Sequence, residues 1–131
     1  MKVDIFTLCD SAQEYNGKLV IVGTFNYIQA EHFPIMYPEF ALVARILFDE
    51  SEKGKHHIEF SIKKDGKDVF IMPPGYLDAD NTQAKGRDSV INVIVKGNNV
   101  PITEPGIYTV SLKVDDKEWT SDLNVMEKEK S

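Results

Sequence analysis

Apolar and polar residues alternate with period two through most of the chain, and the alternation is sharpest over residues 104–125. Tyr108, Val110, Leu112 and Val114 share one side of an extended chain, with Thr109, Ser111 and Lys113 on the other. After Asp115-Asp116 the pattern resumes, with Trp119, Leu123 and Val125 set against Thr120, Asp122 and Asn124. A loop at the two aspartates places Leu112 opposite Trp119 and Tyr108 opposite Leu123, so one face of this hairpin is apolar throughout. Pro105-Gly106 just before it suits the centre of a type II turn. A lone hairpin is marginal in water, so the remaining chain must supply a second apolar layer.

Taken in order, residues 3–9 predict a first strand, followed by a polar interval ending in the turn pair Asn16-Gly17. Leu19 to Ile28 predicts one long strand, in which Gly23 marks a bulge, a bend or a close backbone approach. The prolines of Phe33-Pro34 and Tyr37-Pro38 make residues 29–38 a connection that crosses between sheets. Phe40 to Phe48 predicts a strand with its even positions inward, and Asp49 to Lys55 an exposed loop. Asp65-Gly66 predicts a two-residue hairpin loop with Ile62 opposite Val69 and Phe60 opposite Ile71. Residues 73–88 carry neither period and read as a long functional or mobile loop. Ser89 to Val95 is a further strand, residues 97–103 a link, and residues 127–131 a charged, frayed tail after a single domain at 1–126.

Eight short strands without a helical stretch predict an all-β, two-sheet antiparallel β-sandwich. An immunoglobulin-like arrangement is preferred because Pro105-Gly106-Ile107-Tyr108 resembles the tyrosine-bearing corner of such domains, with a jelly roll or a C2-like sandwich as alternatives. The single cysteine and the position of Trp119 on the last strand depart from the antibody pattern.

Composition narrows the function classes. With 131 residues the chain can bury roughly 68% of its unfolded surface, enough for a core without staples. The excess of 21 acidic over 15 basic residues, a net charge of −6, argues against nucleic acid and anionic membranes as partners. One cysteine allows no internal disulfide, and no leader or membrane-length apolar run is visible, so the expected location is cytoplasmic.

Three pieces together resemble a family of small uncharacterised bacterial proteins. They are Leu8-Cys9-Asp10 with Gly17-Lys18-Leu19 and Val22-Gly23-Thr24-Phe25, then Phe33-Pro34, then Pro105-Gly106-Ile107-Tyr108. The resemblance implies one complete all-β domain and no particular activity.

Candidate chemistry is sparse. His57 and Glu59 lie on one side of a strand, as a metal site would need, although His56 points the other way and His32 is the only further histidine. Asp78, Asp80, Asn81 and Asp88 have alternating oxygen ligands, without the glycine and closing glutamate of a calcium loop. Cys9 has no histidine beside it in sequence and reads as a buried small residue rather than a nucleophile. Tyr27, Tyr37, Tyr76 and Trp119 could form a sugar platform, though Trp119 shares a face with core residues. No Ser-His-Asp order, phosphate loop or Cys-x-x-Cys pair occurs, so no catalytic residue, metal or cofactor is assigned. The expected role is a non-catalytic module for a protein partner or for self-association, with Tyr37 and Tyr76 in loops as partner contacts. A carbohydrate- or calcium-binding accessory domain and an enzyme with a dispersed site are the alternatives.

Overall fold

A computed structural model describes residues 1–79 and 89–129. Ten strands occur among them: β1 Lys2–Tyr15, β2 Lys18–Phe25, β3 Tyr27–Ala30, β4 Ile35–Phe48, β5 Lys55–Lys64, β6 Lys67–Ile71, β7 Gly75–Asp78, β8 Ser89–Ile102, β9 Gly106–Val114 and β10 Lys117–Glu127. They form two sheets, one in the order β2-β1-β4-β8 and the other β3-β10-β9-β5-β6, with β7 also on β5. The sheets face each other across a core that includes Leu42, Ile46, Phe48, Phe60, Tyr108, Leu112 and Val114. The all-β sandwich is as expected, with one departure from antiparallel pairing: β3 runs parallel to β10.

The last hairpin has the expected register, Leu112 opposite Trp119 and Tyr108 opposite Leu123. Asn16-Gly17 and Asp65-Gly66 both have positive φ at each residue, the requirement of a type I′ hairpin turn. Gly106, at φ +142, lies outside the type II value expected of Pro105-Gly106. The corner is closed instead by the Tyr108 hydroxyl, which donates to the Glu104 carbonyl at 2.7 Å.

Several segments differ from the sequence pattern for identifiable reasons. In the β5–β6 hairpin a bulge between Ile62 and Lys63 moves Ile62 opposite Phe70 and Ser61 opposite Ile71. Phe70 therefore packs on the core, and Ile71 is exposed. Residues 75–78 pair with β5 as β7 rather than forming loop. Asn26 divides the expected long second strand: β2 stays beside β1, and β3 joins the other sheet. β4 starts at Ile35 and β8 runs to Ile102, so 35–38 and 97–102, parts of the segments read as connections, are strand. Both change their inward parity at one level, where Pro38 stands opposite Asn99 and Asn99 takes φ +50. The sheet also reaches into the expected tail, since β10 ends at Glu127 and the Lys128 N–H donates to the Ala30 carbonyl.

The polar interval 10–15 is strand as well, and its placement is the least expected feature. β1 pairs with β4 only as far as Cys9, while its distal part stays with β2. Ala12, Leu19 and Ile21 pack on the fully buried Cys9, Ala41 and Val43, which lie on the outer side of the four-stranded sheet. Asn92 of β8 donates to Glu14 and to the Gly17 carbonyl at the hairpin's tip. The hairpin thus folds back over its own sheet. The bend falls at Asp10 and Gly23, where Gly23 has φ +70 and a Cβ would come within 2.5 Å of the Asp10 carboxylate.

Candidate interaction surface

The outer side of the six-stranded sheet carries no such cover, and the strand register lays its side chains out in rows. Tyr27, Asn124 and Ile107 form the first row, and Asp122, Thr109 and Lys63 the second. Thr120, Ser111, Ser61 and Ile71 form the third; Glu118, Lys113 and Glu59 form the fourth. His57 and Tyr76 end the face on the β7 side. Small hydroxyl residues occupy its middle, and larger apolar ones stand at its margins.

That difference in size makes a trough. β6 and β7 are both bonded to β5, and the chain passes between them through Met72-Pro73-Pro74, held by the Met72 N–H on the Phe60 carbonyl. The step raises Ile71, Met72 and Pro74 as one wall beside Ser61 and Ser111, leaving an open cavity of about 200 Å³. Glu59, Lys63, Asp68 and Lys113 complete its lining. The Ser111 hydroxyl donates to Glu118 at 2.8 Å, and Lys63–Asp68 (3.8 Å), Lys113–Glu118 (3.9 Å) and His57–Glu59 (3.6 Å) are loose, solvent-facing pairs. Pairs of this kind contribute little to stability and can exchange partners readily. By contrast, the cavity between the sheets is about 10 Å³ and walled by apolar side chains, so it offers a water no hydrogen-bond partner.

The candidate residues from the sequence separate on this framework. Tyr76 is 72% exposed, with its ring set edge-on to His57 at 5.6 Å. Tyr37 lies not in an exposed loop but on β4, half-buried between Phe25 and Phe40 at 5.9 Å from each. Burial, and then the nearby Asp10 charge, raises the Tyr37 phenol above its ordinary pKa. Tyr27 and Tyr76 share the outer face but stand at opposite ends, about 27 Å apart along the strand direction for eight residues of extended chain. Trp119 packs on the core. These four do not form one aromatic strip.

His57 and Glu59 do lie side by side, while His56 turns to the other face and stacks on Phe48 at 4.3 Å. Among the described residues no group of three or more His, Cys, Asp or Glu is arranged to hold a metal ion. Asp78 closes β7, whereas Asp80, Asn81 and Asp88 lie outside the described residues. Cys9 is wholly buried beneath the folded hairpin, and its Sγ is 3.4 Å from the Ser11 carbonyl. Burial, reinforced by Asp10, raises the Cys9 thiol pKa and keeps it protonated.

Sequence reasoning did not find the polar cluster around His56. Its Nδ1 lies 2.7 Å from Asp115 Oδ2 and its Nε2 2.6 Å from the Glu52 carbonyl. A carbonyl can only accept, and an ionised carboxylate likewise, so the ring donates from both nitrogens and is held as imidazolium. Desolvation opposes that charge, but the bonds to Asp115 and Glu52 outweigh it and raise the His56 pKa. The same bond, with the His57 N–H on the other oxygen, lowers that of Asp115. The cluster ties the single turn of 3-10 helix at Glu50–Glu52 to the β9–β10 turn. Its members lie 59 residues apart in sequence, and no local motif signals such a pair.

A family model described as a family of unknown function, DUF6941, matches residues 4–125. The chain belongs to that family. Neither the curated proteins nor the solved structures provide a match. The match extends from β1 to Val125 of β10, so the folded-back hairpin and the trough are both parts of the DUF6941 domain. No helix among the described residues is long and apolar enough to cross a membrane.

Proposed function

We propose that this DUF6941 domain is a non-catalytic, cytoplasmic protein-interaction module that binds its partner on the outer face of the six-stranded sheet. The trough beside Ser61 and Ser111 is the observation that carries the reading. It offers a partner a concave centre of small hydroxyls, beside which Ile71 and Tyr76 stand largely exposed as apolar anchors. Charge indicates what would fit. Glu59, Asp68, Glu118 and Asp122 face outward against Lys63 and Lys113, so a protein surface with basic side chains complements the face. The non-catalytic reading is supported by how the ionisable groups are used: His56 has both nitrogens committed, and Ser111 donates to Glu118 rather than to a base.

The strand order supports an immunoglobulin-like arrangement for the scaffold. β1, β4 and β8 stand as A, B and E of one sheet, and β10, β9 and β5 as G, F and C of the other, with β6 beyond as C′. The Tyr108 hydroxyl on the Glu104 carbonyl is the hydrogen bond of a tyrosine corner at the start of F.

Copurification from the source cells tests the proposal, with tagged wild type beside an Ile71→Asp, Tyr76→Ala double variant. Both substitutions are at exposed positions, so the fold should be unchanged. A protein retained by wild type and lost from the variant is the expected result. Equal retention by both, or no protein retained by wild type, overturns it.

A further inference from the structure

Beyond Cys9, the β1–β2 hairpin is attached to the rest of the molecule only through side chains. β1 leaves β4 at the Cys9–Ala41 pair, and from there its distal residues pair with β2 alone. Among the described residues no backbone hydrogen bond joins residues 11–22 to any other strand. The ladder within the hairpin is itself interrupted at the bend. It passes from Cys9 opposite Thr24 to Ser11 opposite Val22, and Asp10 and Gly23, which stand between, are not paired. Gly23 takes φ +70 there. A left-handed glycine beside an unpaired residue is a place where a chain absorbs a change of backbone angle at little cost.

The contacts that hold the hairpin down are modest. Ala12, Leu19 and Ile21, each only partly buried, pack on Cys9, Ala41 and Val43, with Ile5 and Ile94 beside them. At the tip, Asn92 Nδ2 donates to the Glu14 carboxylate at 2.8 Å and to the Gly17 carbonyl at 3.1 Å. Asn92 Oδ1 is buried with no hydrogen-bond partner among the described residues. The closed position therefore holds a polar atom away from water, and opening would return it to solvent.

We propose that residues 11–22 form a hinged strap that opens about Asp10 and Gly23 and uncovers Cys9, Ala41 and Val43 while the two-sheet core stays folded. The domain then has two states, one with the outer side of the four-stranded sheet covered and one with it bare. The inference is independent of the trough, which lies on the other sheet. Opening breaks no backbone hydrogen bond to the sheet. It exposes a few half-buried aliphatic groups and releases Asn92, which together set an open fraction on the order of 1 in 10³–10⁴. Global unfolding of an ordinary domain is rarer, about 1 in 10⁴–10¹¹, so the strap moves first.

Cys9, the single cysteine, reports the opening. It is fully buried beneath the strap, so N-ethylmaleimide reaches it only in the open state. Labelling of the native protein, followed by mass spectrometry, should run about 10³–10⁴-fold slower than labelling of the urea-unfolded chain. The native rate should change little with urea below the unfolding transition, because opening exposes little surface. Asn92→Ala removes the latch and Ile21→Ala part of the packing, and each should raise the native rate about 10-fold. Tyr108→Phe removes the hydrogen bond to Glu104 on the other sheet, so it lowers global stability and should leave the rate unchanged.

A Cys9 that stays unlabelled until the unfolding transition, or a native rate that climbs with urea as steeply as global unfolding, overturns the proposal. So does a rate that rises in Tyr108→Phe or ignores both strap variants.

Discussion

Gly97→Ala adds one methyl group where the structure has no room for it. Gly97 of β8 faces Phe40 of β4, and the Phe40 ring lies where a Cβ would be, with Cε1 at 2.5 Å from that position. The ring cannot easily retreat: Phe40 is 4% exposed and packs against Phe70 at 5.6 Å and Tyr37 at 5.9 Å. Overpacking of this kind costs about 1–3 kcal/mol. Gly97 does not have positive φ, so alanine meets no backbone strain and brings a gain of about 0.5–1 kcal/mol from the less flexible unfolded chain. The contact outweighs the backbone, leaving a net loss centred on about 1 kcal/mol and no larger than about 2.5 kcal/mol. At about 2.1 cal/mol/K of unfolding entropy per residue, 1 kcal/mol shifts the Tm of 131 residues by about 4 °C. The expected fall is therefore about 4 °C, and at most about 10 °C, in calorimetry. Phe40→Leu removes the ring, and the double variant should be more stable than the two single losses added together, by about 1 kcal/mol. A Gly97→Ala protein as stable as wild type, or additivity within about 0.5 kcal/mol, refutes the ring-on-glycine account.

Two further outcomes follow from hydrogen bonds. Tyr108→Phe deletes the donor to the Glu104 carbonyl while keeping the buried ring, and should cost about 1 kcal/mol in urea unfolding, with an unchanged m-value. His56→Gln should destabilise in a pH-dependent way. The raised His56 pKa contributes stability that is complete below its unfolded value of about 6.5 and lost as pH rises through the folded pKa. The lowered Asp115 pKa contributes stability present above about 3.9 and lost as pH falls through its folded value. The Tm gap between wild type and variant should be widest near pH 5 and narrow above neutrality, and a gap constant from pH 5 to 8.5 refutes the imidazolium assignment.

Legibility in the sequence followed the strictness of alternation. The last hairpin could be read to the residue because Tyr108, Val110, Leu112 and Val114 alternate without interruption and Asp115-Asp116 fixes the turn. β6 could not, because Val69-Phe70-Ile71-Met72 is apolar at every position, and a bulge at Ile62 reverses its faces without changing the composition. Tyr37 was misplaced for a related reason: β4 changes its inward parity at Pro38, so alternation counted back from Phe40 stops short of Tyr37. The trough was invisible because it depends on where residues 72–74 step between two short strands. Within residues 10–17 only Ala12 packs inward while Tyr15 is exposed, so the folded-back hairpin left no alternation to read.

The two outer faces of the sandwich differ for a reason already present in β4 and β9. Outward positions of β9 are Thr109, Ser111 and Lys113, and those of β5 are Glu59, Ser61 and Lys63, polar residues that need no apolar cover, the buried Ser111 being satisfied by Glu118. Outward positions of β4 include Ala41 and Val43, which with Cys9 of β1 would leave apolar surface exposed beside a long edge. The chain covers it with its own β1–β2 hairpin, which requires apolar residues on the hairpin's inner side and a left-handed glycine at the bend. Leu19 and Ile21 meet the first need and Gly23 the second. Covering one face moves the unpaired edge of that sheet to β2, where the outward alternates of the same run are Val20 and Val22. The patterning that buries Cys9 therefore also leaves β-branched residues exposed on the other side of β2, so Ile21→Ala should lower the Tm in calorimetry while Val22→Ala should leave it nearly unchanged.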